Sequence, residues 1–363
     1  MRFPEFTGEW EKCKLSKVCS FFSGGTPPSS NKEYYNGNIP FIRSGELHND
    51  ETELFITKEG LDNSAAKMVE VGDLLLALYG ATSGDIAISK IKGAINQAIL
   101  CIRTKQNKKF VESVWNKHVA RLLQTYLQGG QGNLSADIVK NISFYFTNIE
   151  EQNKLARFIS LLDQRIAAQN KIIEDLKRLK SAIYQDLFSN LQGEEKTLSE
   201  LAEITKGQQV NGNQLSENGK YYVMNGGIMP SGYYDDYNTE AGTISISEGG
   251  NSCGYVQYNK SEFWSGGHCY TLHIKPTARI STLFLFHFLK WKEEYIMALR
   301  IGSGLPNIQK KDLSKVRIIV PTFDKQQQLI ALLSTLQMKI EYEEMYTINL
   351  DKQKLHLLSH MFI

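Results

Sequence analysis

The length and composition of the chain predict a globular protein with more than one domain. Its 363 residues exceed what a single small core requires, so two domains with connecting elements are expected. Hydrophobic residues make up 42% and charged residues 22%, and no apolar run approaches membrane-spanning length, which argues against membrane and disordered classes. A formal net charge of +2 permits nucleic-acid binding but does not by itself indicate it.

The start of the chain and its cysteines predict a cytoplasmic protein. Pro4 and Gly8 interrupt the first residues, which lack the apolar stretch of a secretory signal. The five cysteines are odd in number and never spaced as CxxC, a pattern that suits reduced thiols. We expect them to serve as packing residues.

An internal repeat begins near the start of the chain. LSKVCSFFSGG at residues 15–25 matches LSELAEITKGQ at residues 198–208, an offset of 183 (198 minus 15). GDLLLALYGATSGDIAI at residues 72–88 predicts two strands around a Gly-rich turn, and GTISISEGGNSCGYVQ at residues 242–257 repeats that outline. The chain is therefore expected to contain two similar units.

Each predicted unit continues with a further strand region, a helix and a Gly-rich turn. We align GAINQAILCIR at residues 93–103 with SGGHCYTLHIK at residues 265–275. The helix and the turn that follow are Phe110–Leu127 with Gly129–Asn133 in the first unit, and Thr282–Leu299 with Gly302–Asn307 in the second.

The two units end in long helices with the spacing of a coiled coil, and apolar residues recur at alternating steps of four and three. The first seam is Leu155, Ile159, Leu162, Ile166, Gln169, Ile173, Leu176, Lys180, Ile183 and Leu187. The second is Leu329, Leu333, Leu336, Ile340, Glu343, Thr347, Leu350, Lys354, Leu357 and Met361. We expect the two seams to face each other; the alternative is that each helix lies on its own domain.

The connectivity predicts the direction of the helices. Residues 190–324 must link the end of the first long helix to the start of the second, and a compact unit has its two ends close together. The helices would then run antiparallel. The fold class is therefore predicted as α+β, with two similar globular units separated by two long antiparallel coiled-coil helices in a pseudo-twofold internal repeat.

Over nearly its whole length, the chain resembles the specificity subunit, HsdS, of type I restriction-modification systems. The similarity is carried by GDLLLALYGATSG followed by INQAILCIR, and by the EEQ and DKQ helix starts at residues 150–152 and 324–326. These features occur twice along the chain, in the same order. The chain departs from the family pattern in two places. The family's usual proline before the long helix is present as Pro321, but Thr147 stands there in the first copy. Asn96 and Gln97 of the first copy are aligned with His268 and Cys269 of the second.

The resemblance implies a non-catalytic, DNA-reading role in the cytoplasm. Residues 1–147 and 191–322 would be target recognition domains, each reading one half of a bipartite asymmetric site in double-stranded DNA. Residues 148–190 and 323–363 would form the helices that set the half-site spacing and dock two methyltransferase (M) subunits. Restriction (R) subunits would join through the assembled complex, and no membrane is involved.

The sequence lacks the motifs that would make the chain an enzyme. There is no credible methyl-donor or base-flipping motif and no GxxxxGK[ST] phosphate loop, so we expect no catalytic residues, no cofactor and no metal site. Two alternatives remain open: a stand-alone DNA methyltransferase or nuclease with fused recognition domains, and a coiled-coil adaptor without DNA binding. The missing motifs weigh against the first, and the duplication of a loop-rich unit weighs against the second.

Base edges are read by amide, guanidinium and hydroxyl groups, so the polar side chains of the Gly-rich loops are the candidate DNA-binding residues. In the first unit these are Ser23, Thr26, Arg43, Ser44, Tyr79, Thr82, Ser83, Asn96, Gln97, Gln131 and Asn133. In the second they are Lys206, Gln208, Gln209, Asn211, Asn225, Glu248, Asn251, Ser252, His268, Ser303 and Asn307. For each of them, ordinary turn chemistry is an equally good explanation.

Overall fold

A computed structural model describes residues 2–127, 133–302, 304 and 306–362. The chain divides into two compact units, one formed by residues 1–170 and 345–363 and the other by residues 171–344. The predicted boundaries of the recognition domains stay a prediction, because each compact unit also includes parts of both long helices. Within the described residues, no helix is both long and apolar enough to span a bilayer.

Where the structure describes it, the first unit contains ten strands, four α-helices and part of each long helix. Its strands are β1 (Glu11–Lys14), β2 (Cys19–Ser23), β3 (Tyr35–Ile42), β4 (Phe55–Ile56), β5 (Lys67–Val69), β6 (Leu74–Ala77), β7 (Ile86–Ile88), β8 (Gly93–Ile95), β9 (Ile99–Thr104) and β10 (Ser143–Phe146). Its helices are α1 (Leu15–Val18), α2 (Lys58–Asp62), α3 (Lys108–Leu127) and α4 (Ala136–Asn141), followed by the start of α5 (Ile149–Ser189).

The described residues of the first unit form three sheets. β1 pairs with β10, one four-stranded sheet has the order β2-β9-β6-β7, and another has the order β4-β3-β8-β5. β6 is buried at every position, as its run of leucines predicts, and it packs on both faces. Its core joins the first turns of α5 to the last residues of the second long helix through Leu155, Ile159, Leu358 and Met361.

The second unit repeats this architecture, with nine strands in the part of it that the structure describes. Its strands are β11 (Glu194–Thr197), β12 (Ala202–Lys206), β13 (Tyr221–Met224), β14 (Tyr233–Tyr234), β15 (Thr243–Ser247), β16 (Val256–Asn259), β17 (Trp264–Ser265), β18 (Cys269–Ile274) and β19 (Arg317–Val320). Its helices are α6 (Leu198–Leu201), α7 (Thr282–Trp291), α8 (Glu293–Ala298), α9 (Lys310–Leu313) and the start of α10 (Phe323–Met361).

The sheet orders of the second unit match those of the first. β11 pairs with β19, the four-stranded sheet is β12-β18-β15-β16, and the third sheet is β14-β13-β17. Among the described residues of this unit, no strand corresponds to β5. The predicted α+β fold with its internal repeat is thus confirmed. The single helix predicted over residues 282–299 is instead two helices, because the chain leaves helical geometry at Lys292 between α7 and α8.

Backbone hydrogen bonds correct one part of the sequence alignment. Ile99 N donates to Asn96 O, and the equivalent bond in the second unit runs from Cys269 N to Gly266 O. The counterparts of Asn96 and Gln97 are therefore Gly266 and Gly267, and the pairing with His268 and Cys269 was wrong by two residues. A strand pattern of period two fits either register, so the sequence alone could not choose between them.

A buried glutamine anchors the start of each long helix to its unit. The Gln152 side chain donates to Thr147 O at 2.7 Å and accepts from the backbone N–H of Asn107 at 3.1 Å. In the second unit, Gln326 donates to Pro321 O at 3.1 Å and accepts from Ser281 N–H at 2.8 Å. Both glutamines are fully buried, which explains the EEQ and DKQ sequences as a repeated anchor.

Within each unit, the two long helices run antiparallel, because contacts farther along α5 involve earlier residues of α10. Asp163–Lys354 is followed by Arg165–Tyr346 in the first unit, and Lys177–Glu344 is followed by Lys180–Gln337 in the second. In the first unit Lys354 on α10 pairs with Asp163 on α5 at 2.6 Å. In the second, Lys180 on α5 donates to Gln337 on α10 at 2.6 Å. These pairs are equivalent under the repeat offset of 174, since 163 plus 174 is 337 and 180 plus 174 is 354. Every predicted seam residue is buried or half-buried.

Candidate nucleic-acid interface

In the first unit, several predicted DNA-binding residues lie where three strands end. β3 and β8 are parallel and Ile42 is paired with Ile95, so Arg43 and Asn96 leave the sheet side by side. Gly24, just after β2, approaches this edge so closely that a β-carbon would lie 1.7 Å from Ile95 O. Thr26 also reaches the edge, where its hydroxyl donates to the Gln97 amide oxygen at 2.6 Å. The strand ends thus bring together Ser23, Thr26, Arg43, Ser44, Asn96 and Gln97.

Arg43 is held in place by two carboxylates. Its Nε and Nη2 donate to Glu46 at 3.2 and 2.8 Å, and Nη2 also donates to Glu53 at 2.7 Å. Burial opposes ionisation of Glu46, but hydrogen bonds from Arg43, Glu53 and Thr52 outweigh it and lower the pKa of Glu46 to about 2. The guanidinium therefore stays beside a permanent negative charge.

The predicted Gly-rich turn joins β6 to β7 in the first unit. Gly84 N donates to Ala77 O at 2.8 Å, and Gly80 and Gly84 have φ of +83° and +87°. Ser83 donates its hydroxyl to Leu78 O at 3.0 Å, so this candidate has a turn role. The other candidates at the turn are the half-buried Tyr79 and Thr82 and the exposed Asn133.

In the second unit, the corresponding strand ends and Gly-rich turn form a cleft of about 540 Å³. It is lined by the ends of β12 and β13, the turn between β15 and β16, and the start of β18. The predicted DNA-binding residues that line it are Lys206, Asn225, Glu248, Asn251, Ser252, His268 and Asn307.

Glu248 is the buried centre of this cleft. One carboxylate oxygen accepts from Lys206 Nζ at 2.7 Å and from the Tyr270 hydroxyl at 3.0 Å. Burial, followed by the hydrogen bond to Glu248, raises the pKa of Tyr270 to about 12. The other oxygen, Oε2, has no hydrogen-bond partner among the described residues, and His268 Nδ1 lies 3.6 Å away from it. The cleft thus combines fixed donors with an unused acceptor.

Three predicted residues of the second unit are not among those lining the cleft. The backbone N–H of Gln208 donates to Ser265 O, and the Gln209 side chain donates to Val210 O. Asn211 caps the short 3-10 turn Gly212–Gln214. Gln131 and Ser303 lie outside the described residues.

Several side chains at these two sites were not predicted from the sequence. Glu46 and Glu53 hold Arg43, and Tyr270 and Pro306 line or support the cleft. Tyr270 lies within the strand region predicted at residues 265–275 but was not singled out, and no local motif pointed to Glu46. No group of three metal-binding side chains occurs in the part of the chain that the structure describes.

The family model of the type I restriction modification DNA specificity domain matches residues 7–178 and, a second time, residues 191–350. The chain belongs to this family. Its double match follows the internal repeat. The crystal structure of a type I restriction-modification system S subunit from M. genitalium aligns with 98% of this chain and 96% of its own, at a TM-score of 0.66 and 20% identity. At that identity, the likeness shows a shared fold.

Two curated relatives are more similar in sequence over shorter segments. The putative type I specificity subunit S.MpnORF638P of Mycoplasma pneumoniae is 35% identical over 157 residues, which cover 43% of this chain and 42% of the relative. The putative type I specificity subunit S.MgeORF438P of Mycoplasma genitalium is 32% identical over 145 residues, 40% of this chain and 38% of the relative. The alignments thus span about two fifths of the length of these relatives.

Proposed function

We propose that the chain is the DNA sequence-specificity subunit of a type I restriction-modification complex. Residues 1–147 and 191–322 each read one half of a bipartite asymmetric site in double-stranded DNA. The long helices, residues 148–190 and 323–363, set the half-site spacing and dock two methyltransferase subunits, and restriction subunits join through the assembled complex. The chain itself carries no catalytic site.

The observation that carries this proposal is the contrast between constant scaffold and variable loops. The glutamine anchors and the sheet orders recur in both units. At equivalent loop positions, however, the first unit has Thr26, Arg43 and Gln97, and the second has Gln209, Asn225 and Gly267. Side chains that differ on a common scaffold are what two readers of different base sequences require.

Exposed apolar side chains on the long helices support the docking role. The helices bury one seam within the chain, yet α5 leaves Leu161, Ile172 and Leu179 about half exposed. Met338, Tyr342 and Met345 on α10 are also more than half exposed. Such apolar rows on helices are typical of protein interfaces, and the methyltransferase subunits are their proposed partners.

A domain exchange tests the proposal. Residues 1–147 are replaced by the corresponding segment of another family member, and the exchanged chain is assembled with its methyltransferase subunit. Methylation-site mapping should show a new first half-site with the second half-site and the spacing retained. A change in both halves would contradict independent reading, and robust methylation by the chain without its partner would contradict a non-catalytic role.

An insertion tests the proposed spacing role of the helices. One extra helical turn before Leu187 should alter the distance between the half-sites and leave their sequences intact, because a longer helix displaces what it carries. The same mapping assay measures the distance. An unchanged distance would assign the spacing to another part of the assembly.

A further inference from the structure

Arg43, at the strand ends of the first unit, uses one edge of its guanidinium group to bind a carboxylate and leaves the other edge available to a ligand. Glu46 occupies the side edge of Arg43, formed by Nε and Nη2. The end edge is formed by Nη1 and the second hydrogen of Nη2. Among the described residues Nη1 has no partner, and Nη2 meets only Glu53 along that edge. A planar pair of donors is thus presented at the end of the side chain.

The two carboxylates that hold Arg43 differ in how firmly they are fixed. Glu46 is buried and accepts further hydrogen bonds from Thr52 and from the backbone N–H groups of Arg43 and Glu53. The Glu53 side chain is 86% exposed, so its ion pair contributes little and is easily exchanged for another partner. Glu46 therefore fixes the orientation of the Arg43 guanidinium group. Glu53 accepts a hydrogen bond from Nη2 that another acceptor can replace.

We infer that Arg43 reads a guanine in the first half-site through its end edge, with Glu46 as the positioning residue and Glu53 as a displaceable cover. Guanine offers O6 and N7 as two adjacent acceptors in the major groove, which match a guanidinium fork. Pre-positioning of the fork reduces the side-chain entropy lost on binding. This inference rests on the proposed DNA-reading function.

The second unit places a different base-reading group at the same point. Met224 is paired with Ser265 as Ile42 is with Ile95, so Asn225 is the counterpart of Arg43. Asn225 uses its carbonyl oxygen to accept the backbone N–H of His268 at 3.1 Å, and its amide group has no partner among the described residues. An amide in place of a guanidinium predicts a different base preference at the matching position.

The test uses the full chain assembled with its methyltransferase subunit and a pool of randomised double-stranded DNA. Selection gives the wild-type half-sites, and each guanine of the first half-site is then replaced by 7-deazaguanine, which lacks the N7 acceptor. At one guanine, the wild-type complex should lose affinity roughly 5-fold to 100-fold, the range of a lost base contact. The Arg43→Lys complex should bind DNA with guanine and DNA with 7-deazaguanine at that position almost equally tightly. Its selected second half-site should stay the same as that of the wild type.

Arg43→Lys separates a base contact from a phosphate contact. A lysine keeps the positive charge but not the fork, so a phosphate contact would survive this change and the guanine preference would stay. Glu46→Gln should weaken discrimination at the same guanine and at no other position. Glu53→Gln should bind as tightly as the wild type or a few-fold tighter, because no ion pair has to be broken.

Arg103 supplies a matched control. It is also held by a buried carboxylate, Asp73, at 2.7 Å, but it lies on β9 opposite Ser20, away from the strand ends that carry Arg43. Arg103→Lys should leave the selected sequence unchanged. A first half-site without guanine, or a guanine preference retained by Arg43→Lys, would overturn the inference and leave the proposed function standing. A wild-type complex that selects no sequence would overturn both.

Discussion

The two units differ most clearly beneath their Gly-rich turns. In the second unit the equivalent positions hold Lys206, Glu248 and Tyr270, which form a hydrogen-bonded charged cluster. In the first unit they hold Ser23, Leu78 and Leu100. Yet the backbone around them is the same: Leu78 O accepts from Leu134 N and Glu248 O accepts from Ile308 N, both at 2.8 Å.

This difference shows that the fold does not need the charged cluster. Leucine fills the same place in the first unit, and an apolar residue in place of a buried charged pair is often as stable or more stable. We therefore propose that this buried glutamate, whose second oxygen is unused in a cleft at the proposed interface, contributes to recognition. Substitutions at equivalent positions of the two units test this comparison.

Exchanging the central residue between the units should have opposite consequences. Leu78→Glu places a buried charge without a lysine partner and should lower the free energy of unfolding by about 3 to 5 kcal/mol. Glu248→Leu should change it by about 1 kcal/mol and instead alter the second half-site. Urea unfolding and methylation-site mapping measure the two effects. Equal destabilisation by both changes would mean that the charged cluster is structural.

The buried glutamine anchors should matter equally in both units. Gln152→Leu and Gln326→Leu each leave buried backbone groups without partners, which should lower the free energy of unfolding by about 3 kcal/mol. Exposed Gln327, on the same helix as Gln326, provides the control, since Gln327→Leu should have little effect. Urea unfolding of the full chain is the measurement, and a large effect in one unit alone would contradict equivalence of the anchors.

Between pH 7 and pH 5, the second unit should lose stability through a buried histidine, His287, whose equivalent position in the first unit does not titrate. His287 is buried against Tyr184, and burial with the nearby Lys180 charge lowers its pKa from 6.5 to about 4. The equivalent positions in the first unit are Ser113 and Leu358, which do not titrate.

The sign follows from the lowered pKa of His287. Above pH 6.5 the histidine is neutral in both states; between 6.5 and 4 the unfolded chain gains the proton first, so stability falls as pH falls. The loss from pH 7 to pH 5 should be about 2 kcal/mol. Urea unfolding at the two pH values measures it, and His287→Gln should remove most of the difference. An equal pH dependence in that variant would assign the effect to other groups.

The smallest effect concerns the equivalent pairs on the long helices. Asp163 meets Lys354 in the first unit, whereas Gln337 meets Lys180 in the second. Gln337→Asp should create the missing ion pair and raise the free energy of unfolding by less than about 1 kcal/mol, because the pair is partly exposed. It should also raise the pKa of Lys180, which burial now lowers. Destabilisation by this change would show that the two helix contacts are not equivalent.

The sequence by itself determined the repeat, the strand–turn–strand outline and the two long helices. These features follow from local periodicity: buried leucines in β6, glycines with positive φ at residues 80 and 84, and the three-four spacing of α5 and α10. The same regularity made Gln152 and Gln326 visible as a repeated motif, although their role as buried anchors was not.

Only the tertiary structure decided which loop residues come together. The grouping of Arg43 with Asn96 depends on the parallel pairing of β3 and β8, and Glu46 becomes a partner of Arg43 through a turn that has no sequence signature. Likewise Glu248 meets Lys206 and Tyr270 across three strands that are distant in sequence. Local patterns record which face of a strand is buried, whereas these contacts depend on strand order and register, which non-local packing sets.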